Sequence, residues 1–154
     1  MVWYFAYGSN MDPKRLIEDR MRPKGVAVTR RVGGRLDGWR LAFKKRAKAS
    51  PGAGAGNIVP AAGSSVYGTL NEMPEAGLGV LDFHEGVTGG HYARRTVPVV
   101  LTDTGDTVEA ITYVALKVGK GLRPTRAYLA HLLAGRDLLP ADYHAVLSAQ
   151  PVLE

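Results

Sequence analysis

The 154-residue sequence contains no cysteine, which excludes disulfides, thiolate metal sites and a cysteine nucleophile. No apolar run approaches the ~20 residues that a membrane-spanning helix needs. The N-terminus lacks the basic and apolar regions of a secretory signal peptide. We therefore expect a cytoplasmic protein without membrane association. With 45% hydrophobic and 22% charged residues, the composition indicates a single globular domain over residues 1–154.

Several motifs of well-known enzyme classes are missing as well. The four histidines show no metal-binding spacing such as HExxH, so we expect no metal. The chain has no GxSxG sequence, no Walker A sequence and no GxGxxG sequence after a strand. These absences argue against a metalloenzyme, an α/β-hydrolase and a nucleotide-binding protein.

Positive charge is concentrated in the N-terminal third of the chain. The net charge is +6, and residues 1–50 hold 13 lysines and arginines against 4 acidic residues. Such a surface attracts nucleic acid or other anions. The segment lacks the interleaved aromatic residues of a base-stacking platform, which argues against nucleic acid. A solvated basic face is the simplest interpretation, and anionic small substrates would be drawn to it too.

The 19 glycines and 9 prolines favour many short elements. Apolar or alternating runs predict six strands, at residues 2–7, 26–32, 36–43, 66–70, 92–101 and 107–116. Gly33 and Gly34 lie between the second and third runs and predict a hairpin turn there. Residues 47–65, rich in alanine and glycine, predict a flexible flap beside a functional site.

Short helices are predicted at residues 13–20, 74–85, 124–133 and 140–149, from proline positions and apolar spacing. Strands and helices do not alternate in a βαβ rhythm. The expected fold class is α+β, a small, mostly antiparallel and strongly curved barrel-like sheet. It would have about six strands and three or four peripheral helices.

The first candidate site motif is Gly8-Ser9-Asn10, which follows the first strand. Glycine allows a sharp turn and close approach of a ligand to the backbone. Successive amides in such a turn, next to a helix N-terminus, can bind an anionic oxygen. An ordinary connection between a strand and a helix is the alternative interpretation.

The second motif is Glu85-Gly86, at the predicted end of a helix. A carboxylate there opposes the helix macrodipole, which should raise its pKa and suit a general base. An exposed surface glutamate is the alternative. The flanking Asp82 and His84 point elsewhere by their spacing and are weaker candidates.

Together, these motifs resemble the γ-glutamylcyclotransferase-like family, which includes γ-glutamylamine cyclotransferases and AIG2-like proteins. The resemblance extends over most of the chain, in the segments 4–11, 66–70, 81–87, 92–94 and 128–143. Asn10 after Gly-Ser distinguishes this branch from the ChaC-type cyclotransferases, which carry leucine there.

The resemblance implies a barrel-like α+β fold and an intramolecular reaction without a cofactor. The α-amine of a γ-glutamyl compound attacks its own γ-carbonyl, which releases 5-oxoproline and an amine or amino acid. Glu85 matches the catalytic glutamate. The substrate-binding loop of the family corresponds to Tyr7, Gly8, Ser9 and Asn10, and the pocket tyrosines to Tyr92 and Tyr113.

The sequence leaves several alternatives open. The leaving amine could be an amino acid, a lysine ε-amine, a polyamine or an antibiotic precursor. A non-catalytic small-molecule-binding or interaction protein on the same fold is the second hypothesis, and an RNA- or membrane-surface protein is a third. The oligomeric state also stays open, with a homodimer among the alternatives.

Overall fold

Five strands form a closed barrel in the computed structural model, which describes residues 1–46 and 52–153. The strands are β1 (Val2–Ala6), β2 (Arg30–Arg46), β3 (Gly54–Met73), β4 (Tyr92–Leu101) and β5 (Thr107–Ala115). Their order around the barrel is β1-β3-β2-β4-β5. The antiparallel pairs are β1–β3, β2–β3, β2–β4 and β4–β5. A parallel bridge between Tyr4 and Ile111 joins β1 to β5 and completes the closure.

The predicted hairpin turn at Gly33-Gly34 is wrong, because β2 runs straight through both residues. Gly33 pairs with Thr69 and Gly34 with Gly68 of β3, and neither glycine has a positive φ. Glycine is required at both positions because a side chain would collide with neighbouring residues. A Cβ on Gly33 would lie 2.5 Å from Thr102 Oγ1, and one on Gly34 would lie 2.9 Å from a methyl of Val99. The glycines thus allow close approach of β4 and its following turn, and two predicted strands become one.

The predicted flap over residues 47–65 is wrong for its second half, because residues 54–65 belong to β3. They pair with β2, for example at Ile58 with Leu41 and at Ala55 with Lys45. Residues 47–51 lie outside the described part of the chain. Small residues are needed here because β2 and β3 approach closely. A Cβ on Gly54 would lie 2.2 Å from the carbonyl oxygen of Phe43.

The helical segments lie in the connections between the barrel strands and after the last strand. A π-helix spans Lys14–Met21 and is flanked by 3-10 turns at Ser9–Met11 and Arg22–Lys24. Three α-helices follow, α1 (Ala76–Glu85), α2 (Arg126–Leu133) and α3 (Ala141–Ser148). Thr125 caps α2, because its side-chain oxygen accepts a hydrogen bond from Tyr128 N at 3.1 Å. None of the helices in the described residues is long and apolar enough to cross a membrane.

The predicted β4–β5 hairpin is confirmed, in a register from Tyr92↔Ala115 to Val100↔Thr107. The predicted fold class is also confirmed as α+β with a curved, mostly antiparallel barrel and about four helices. Five strands replace the expected six, because residues 30–32 of the second run and all of the third run form the single strand β2. Residues 26–29 of the second run precede this strand and are not part of it.

Two apolar clusters hold the molecule together. One is formed by residues in or next to all five strands and includes Phe5, Leu36 and Val99. The other joins the barrel to the helical segments and includes Leu16, Leu81, Leu132 and Leu147. Helix α2 and the π-helix contact the 3-10 turn Ser9–Met11 that follows β1, and α1 contacts the π-helix.

Candidate functional site

The chain leaves β1 through Tyr7 and Gly8 into the 3-10 turn of Ser9–Met11. Met11 N donates a hydrogen bond to Gly8 O at 3.0 Å, which closes this turn. Gly8 has a φ of −116°, so a left-handed conformation is not the reason for glycine. A Cβ at this position would lie 3.0 Å from the Tyr128 hydroxyl oxygen, so glycine allows the close approach of α2. We refer to residues 7–10 as the 7–10 loop.

Glu85 is the last residue of α1, and Gly86 ends the helix in the left-handed conformation with φ +66° and ψ +38°. This helix end was predicted from the sequence and is confirmed. Val87 N and Gly86 N donate to the carbonyls of Asp82 and Phe83, which completes the last turn. The reversal of the backbone leaves the partly buried Glu85 facing the 7–10 loop, and Asn10 Nδ2 lies 3.4 Å from Glu85 Oε1.

Asn10 is buried at 3% exposure and makes three side-chain hydrogen bonds. Its Nδ2 donates to the Tyr4 hydroxyl at 3.0 Å as well as to Glu85, and its Oδ1 accepts from Arg20 Nη1 at 2.8 Å. Because an arginine can only donate, it defines which end of the amide carries oxygen. Arg20 of the π-helix thereby keeps the amide nitrogen directed at Glu85.

A cavity of about 30 Å³ lies between these elements. All seven residues predicted for the site line it: Tyr7, Gly8, Ser9, Asn10, Glu85, Tyr92 and Tyr113. The structure thus brings together residues from three distant parts of the sequence. A volume of this size accommodates only a few atoms, so a larger ligand must extend beyond it.

The pKa of Glu85 is raised above its ordinary value, mainly because burial disfavours the charged form. The positive charges of Arg20, Arg15 and Lys45 act in the opposite direction. The sequence predicted a raised pKa from the helix macrodipole, so the direction agrees but burial is the main cause. A raised pKa brings a carboxyl group closer to the condition in which it can both accept and return a proton during a reaction.

The hydroxyl groups of the predicted tyrosines are held by protein acceptors. Tyr92 donates to the carbonyl of Gly56 at 2.7 Å, and Tyr7 donates to the carbonyl of Tyr113. The Tyr113 hydroxyl donates to Asp82 Oδ1 at 2.7 Å. These bonds fix the ring positions in the cavity wall.

The Asp82 side chain is held by other side chains of the protein. Its carboxylate forms an ion pair with Arg94, and the hydrogen bond from Arg94 is the main reason that its pKa lies below the ordinary range. Asp82 therefore holds Tyr113 and Arg94 rather than lining the cavity. His84 is exposed on the surface of α1, in agreement with its weaker rank in the sequence.

The sequence analysis missed four residues of the cavity wall, namely Tyr4, Gly56, Thr112 and Tyr128. Gly56 lies in the segment predicted as a flap, and its N–H donates to the Tyr128 hydroxyl at 2.9 Å. The sequence analysis placed Tyr128 in a helix and in a segment of the family resemblance, but gave it no role in the site. The one clue in the sequence was its hydroxyl, since a buried tyrosine needs a polar partner.

The small cavity continues into an outer basin of about 270 Å³. The two share Ser9, Glu85, Tyr92 and Tyr128 in their walls. The basin is further lined by the basic residues Arg15, Arg20, Lys45 and Arg46 and by His84 and His91. Glu85 thus lies at the boundary between the small cavity and a strongly basic outer space.

A metal centre is not evident in residues 1–46 and 52–153, where no group of three or more histidine or acidic side chains is arranged to hold an ion. The polar groups that line the cavity are the Glu85 carboxyl group, the tyrosine hydroxyls and the residues of the 7–10 loop. In this arrangement a carboxyl group faces an enclosed wall of hydrogen-bonding groups.

Comparisons with known proteins agree with this fold. A solved structure named gamma-glutamyl cyclotransferase is 26% identical, with a TM-score of 0.86, over 99% of this chain and 89% of that chain. An uncharacterized human protein is also 26% identical over the same shares, with a TM-score of 0.85. A yeast gamma-glutamyl cyclotransferase specific to glutathione shares the fold at 12% identity, with a TM-score of 0.61, over 95% of this chain and 93% of that chain.

No curated protein sequence matches the chain. The profile of the AIG2-like family matches residues 65–147, which is more than half of the sequence and includes Glu85, Tyr92, Tyr113 and Tyr128. The structural neighbours named as cyclotransferases have the same barrel. This protein belongs to the AIG2-like family and has the γ-glutamyl cyclotransferase type of fold.

Proposed function

We propose that this protein is a γ-glutamyl cyclotransferase that converts a γ-glutamyl compound into 5-oxoproline and a free amine or amino acid. The observation that carries the proposal is the shared cavity of Glu85 and the 7–10 loop, with Asn10 Nδ2 3.4 Å from Glu85 Oε1. The likeness to a gamma-glutamyl cyclotransferase at 26% identity supports it.

In the proposed reaction, the α-nitrogen of the glutamyl group forms a bond to its own γ-carbonyl carbon. The bond between that carbon and the leaving nitrogen then breaks. An α-ammonium group with a pKa of about 8 must first lose a proton, which Glu85 accepts. Glu85 then returns this proton to the leaving nitrogen. The second proton, which the attacking nitrogen loses as it becomes the lactam N–H, also passes to the amine, which leaves as an ammonium ion, so that atoms and charge balance. Nucleophile and electrophile belong to one substrate, so the proposed reaction requires no cofactor.

The 7–10 loop is proposed to hold the glutamyl end of the substrate. Backbone amides can stabilise either the oxyanion that develops on the γ-carbonyl or the α-carboxylate. Ring closure is unimolecular, so a folded conformation of the bound substrate supplies a large part of the rate enhancement. Tyr92 and Tyr128 form the rigid wall against which the substrate folds.

The test is release of 5-oxoproline from a panel of γ-glutamyl amino acids and γ-glutamyl amines. Replacement of Glu85 by Gln removes the proton acceptor and is expected to lower kcat by about 10²- to 10⁴-fold. The matched control is Glu75→Gln, which makes the same change at an exposed residue before the opposite end of α1. This control should keep the wild-type rate.

Equal turnover by the Glu85→Gln variant would remove Glu85 from its proposed role. If no panel member yields 5-oxoproline but some bind saturably, the second hypothesis from the sequence, a non-catalytic binding protein, would replace the proposed function.

A further inference from the structure

The Tyr4 hydroxyl is a buried hydrogen-bond donor in the wall of the small cavity. Tyr4 is 4% exposed, and its oxygen accepts a hydrogen bond from Asn10 Nδ2 at 3.0 Å. Within residues 1–46 and 52–153, no group accepts the hydrogen of this hydroxyl. A buried donor without an acceptor costs free energy. This hydrogen therefore points to a ligand that completes the site.

The other hydroxyl groups of the cavity wall differ from that of Tyr4. Four of them donate to carbonyl or carboxylate oxygens of the protein, namely those of Tyr7, Tyr92, Thr112 and Tyr113. The hydroxyls of Ser9 and Tyr128 donate to no group in the described part of the chain, but both residues also line the outer basin, where water can accept their hydrogen. Tyr4 does not line the basin. An acceptor for its hydrogen must therefore lie in the small cavity.

Asn10 places the Tyr4 hydroxyl close to Glu85. Its Nδ2 lies 3.0 Å from the Tyr4 oxygen and 3.4 Å from Glu85 Oε1, so one amide nitrogen donates to both. Burial and then the charge of Glu85 raise the pKa of Tyr4, so the hydroxyl stays protonated. The Tyr4 donor thus lies beside the carboxyl group that is proposed to move the protons of the reaction.

The chemistry of ring closure identifies the substrate oxygen that fits this donor. In the proposed reaction, Glu85 exchanges protons with the attacking and the leaving nitrogen, and both are bonded to the γ-carbonyl carbon in the tetrahedral intermediate. The γ-carbonyl oxygen is bonded to the same carbon, whereas the α-carboxylate is attached at the other end of the glutamyl chain. The nearest substrate oxygen to Glu85 is therefore the one on which negative charge develops.

The charge on Glu85 favours the same oxygen. When Glu85 accepts a proton from the attacking nitrogen, it becomes neutral, so an oxyanion that forms beside it does not face a second negative charge. The α-carboxylate is charged throughout and would be repelled by Glu85 before the proton moves. A neutral hydroxyl in an enclosed site stabilises a developing oxyanion strongly.

We propose that Tyr4 is a further catalytic residue, whose hydroxyl donates a hydrogen bond to the γ-carbonyl oxygen and stabilises the negative charge that develops there during ring closure. Asn10 is the positioning residue that holds this hydroxyl beside Glu85. The hydrogen stays on Tyr4, so the bonds that form and break are those of the proposed reaction. This inference rests on the proposed cyclotransferase function. It assigns the oxyanion to Tyr4 and leaves the amides of the 7–10 loop for the α-carboxylate.

The test is Tyr4→Phe, assayed with the γ-glutamyl compound of the panel that has the highest kcat/KM in the wild type. The variant loses the hydroxyl and keeps the ring, which packs edge-on against Tyr113. Loss of one oxyanion donor is expected to lower kcat by about 10²- to 10³-fold. KM should stay close to the wild-type value, because this hydrogen bond strengthens only as charge develops on the oxygen.

A pH profile separates a donor to the substrate from an indirect effect through Glu85. If the Tyr4 hydroxyl contacts the substrate oxygen, kcat should fall by the same factor from about pH 6 to pH 9. An effect transmitted through Asn10 to Glu85 would instead shift the pH at which kcat changes, so that the loss would depend on pH. The matched control is Tyr67→Phe, at a partly buried tyrosine of β3 outside the cavity and the basin. This control should keep both wild-type constants.

The outcomes also separate this inference from the proposed function. An unchanged kcat in Tyr4→Phe, or a loss that disappears at another pH, would overturn the role of Tyr4. A raised KM with an unchanged kcat would overturn it too, because the hydroxyl would then bind a group that does not react, such as the α-carboxylate. Each of these results leaves the cyclotransferase function standing. Release of 5-oxoproline from no panel member by the wild type would overturn the proposed function and this inference with it.

Discussion

At the scale of single residues, Glu85 experiences two opposing influences. Burial favours its neutral acid, while the nearby charges of Arg20, Arg15 and Lys45 favour the carboxylate. Burial is the larger effect, so the pKa is raised. Ionisation of this buried carboxyl group therefore lowers the stability of the folded protein. A catalytic role would explain why a glutamate is present at this position.

This balance predicts a pH-dependent gain in stability for Glu85→Gln. Below about pH 4.3, the ordinary pKa of a glutamate, the carboxyl group is neutral in both the folded and unfolded states, and the two proteins should be equally stable. Above it, the unfolded state loses its proton more readily than the folded state, so the wild type becomes less stable relative to the variant. The variant should then melt a few degrees higher at pH 7.

The measurement is the Tm of both proteins in a series of buffers from pH 4 to pH 8. Glu75→Gln serves as the control and should show no gain at pH 7, because its side chain is exposed to water. A Glu85→Gln variant less stable than the wild type at pH 7 would show that the cations outweigh burial and that the pKa of Glu85 is lowered rather than raised.

At this scale the helix end at Glu85-Gly86 was predictable, because the motif carries its own local geometry. That Gly8-Ser9-Asn10 and Glu85 belong to one site was expected only from the resemblance to a known family. Gly86 ends α1 in the predicted left-handed conformation. Gly56 was not predictable as a site residue, because its role depends on the Tyr128 hydroxyl 72 residues away.

At the scale of elements, several glycines in this protein mark close contact between strands rather than turns. Gly68 of β3 shows this clearly, since a Cβ there would lie 2.2 Å from the carbonyl oxygen of Ala6 and 3.0 Å from the ring of Phe5. Gly79 of α1 is the opposite case, with no atom within 4 Å of the position of a Cβ.

Two alanine substitutions should therefore change stability in opposite directions. Gly68→Ala forces β1 and β3 apart and should lower the free energy of unfolding by about 1–3 kcal/mol or more. Gly79→Ala should raise it by roughly 0.5–1 kcal/mol, because alanine favours a helix and meets no obstacle there. Urea denaturation of both variants measures these changes. A Gly68→Ala protein as stable as the wild type would contradict the close contact of the two strands.

Helices and strands with a clear apolar periodicity or a capping residue were predictable from the sequence. Strands that form only because they pair with another strand were not. The alternation in β4 and β5 and the caps of α1 and α2 are local features of the sequence. The alanine- and glycine-rich start of β3 has no such pattern, and its backbone is extended because it pairs with β2. Hydrogen bonds to a partner strand do not depend on which side chains are present.

At the scale of the whole molecule, barrel residues contribute to two separate apolar clusters. Leu36, at 1% exposure, belongs to the cluster made by the strands, and Leu132, at 0%, belongs to the cluster under the helices. Strand β1 contributes to both, through Phe5 to the first and Tyr4 to the second. We therefore expect the two clusters to unfold together.

Leu36→Ala and Leu132→Ala should each lower the free energy of unfolding by about 2–5 kcal/mol, the usual effect of such a cavity. In both variants, far-UV circular dichroism and tryptophan fluorescence should report one coincident transition, shifted to lower temperature. Separate transitions for the two probes in either variant would show that the barrel and the helical cluster unfold independently.

The sequence by itself determined the fold class, the C-terminal end of α1 and the β4–β5 hairpin, because local backbone preferences and periodic apolar positions encode them. The residues of the proposed site were named from the resemblance of short motifs to a known family. Only the tertiary structure decided that Gly33 and Gly34 lie within a strand, that Gly56 and Tyr128 belong to the cavity wall, and that four basic residues of the first third line the adjoining basin. Each of these depends on atoms that are distant in the chain and become neighbours only when the barrel closes.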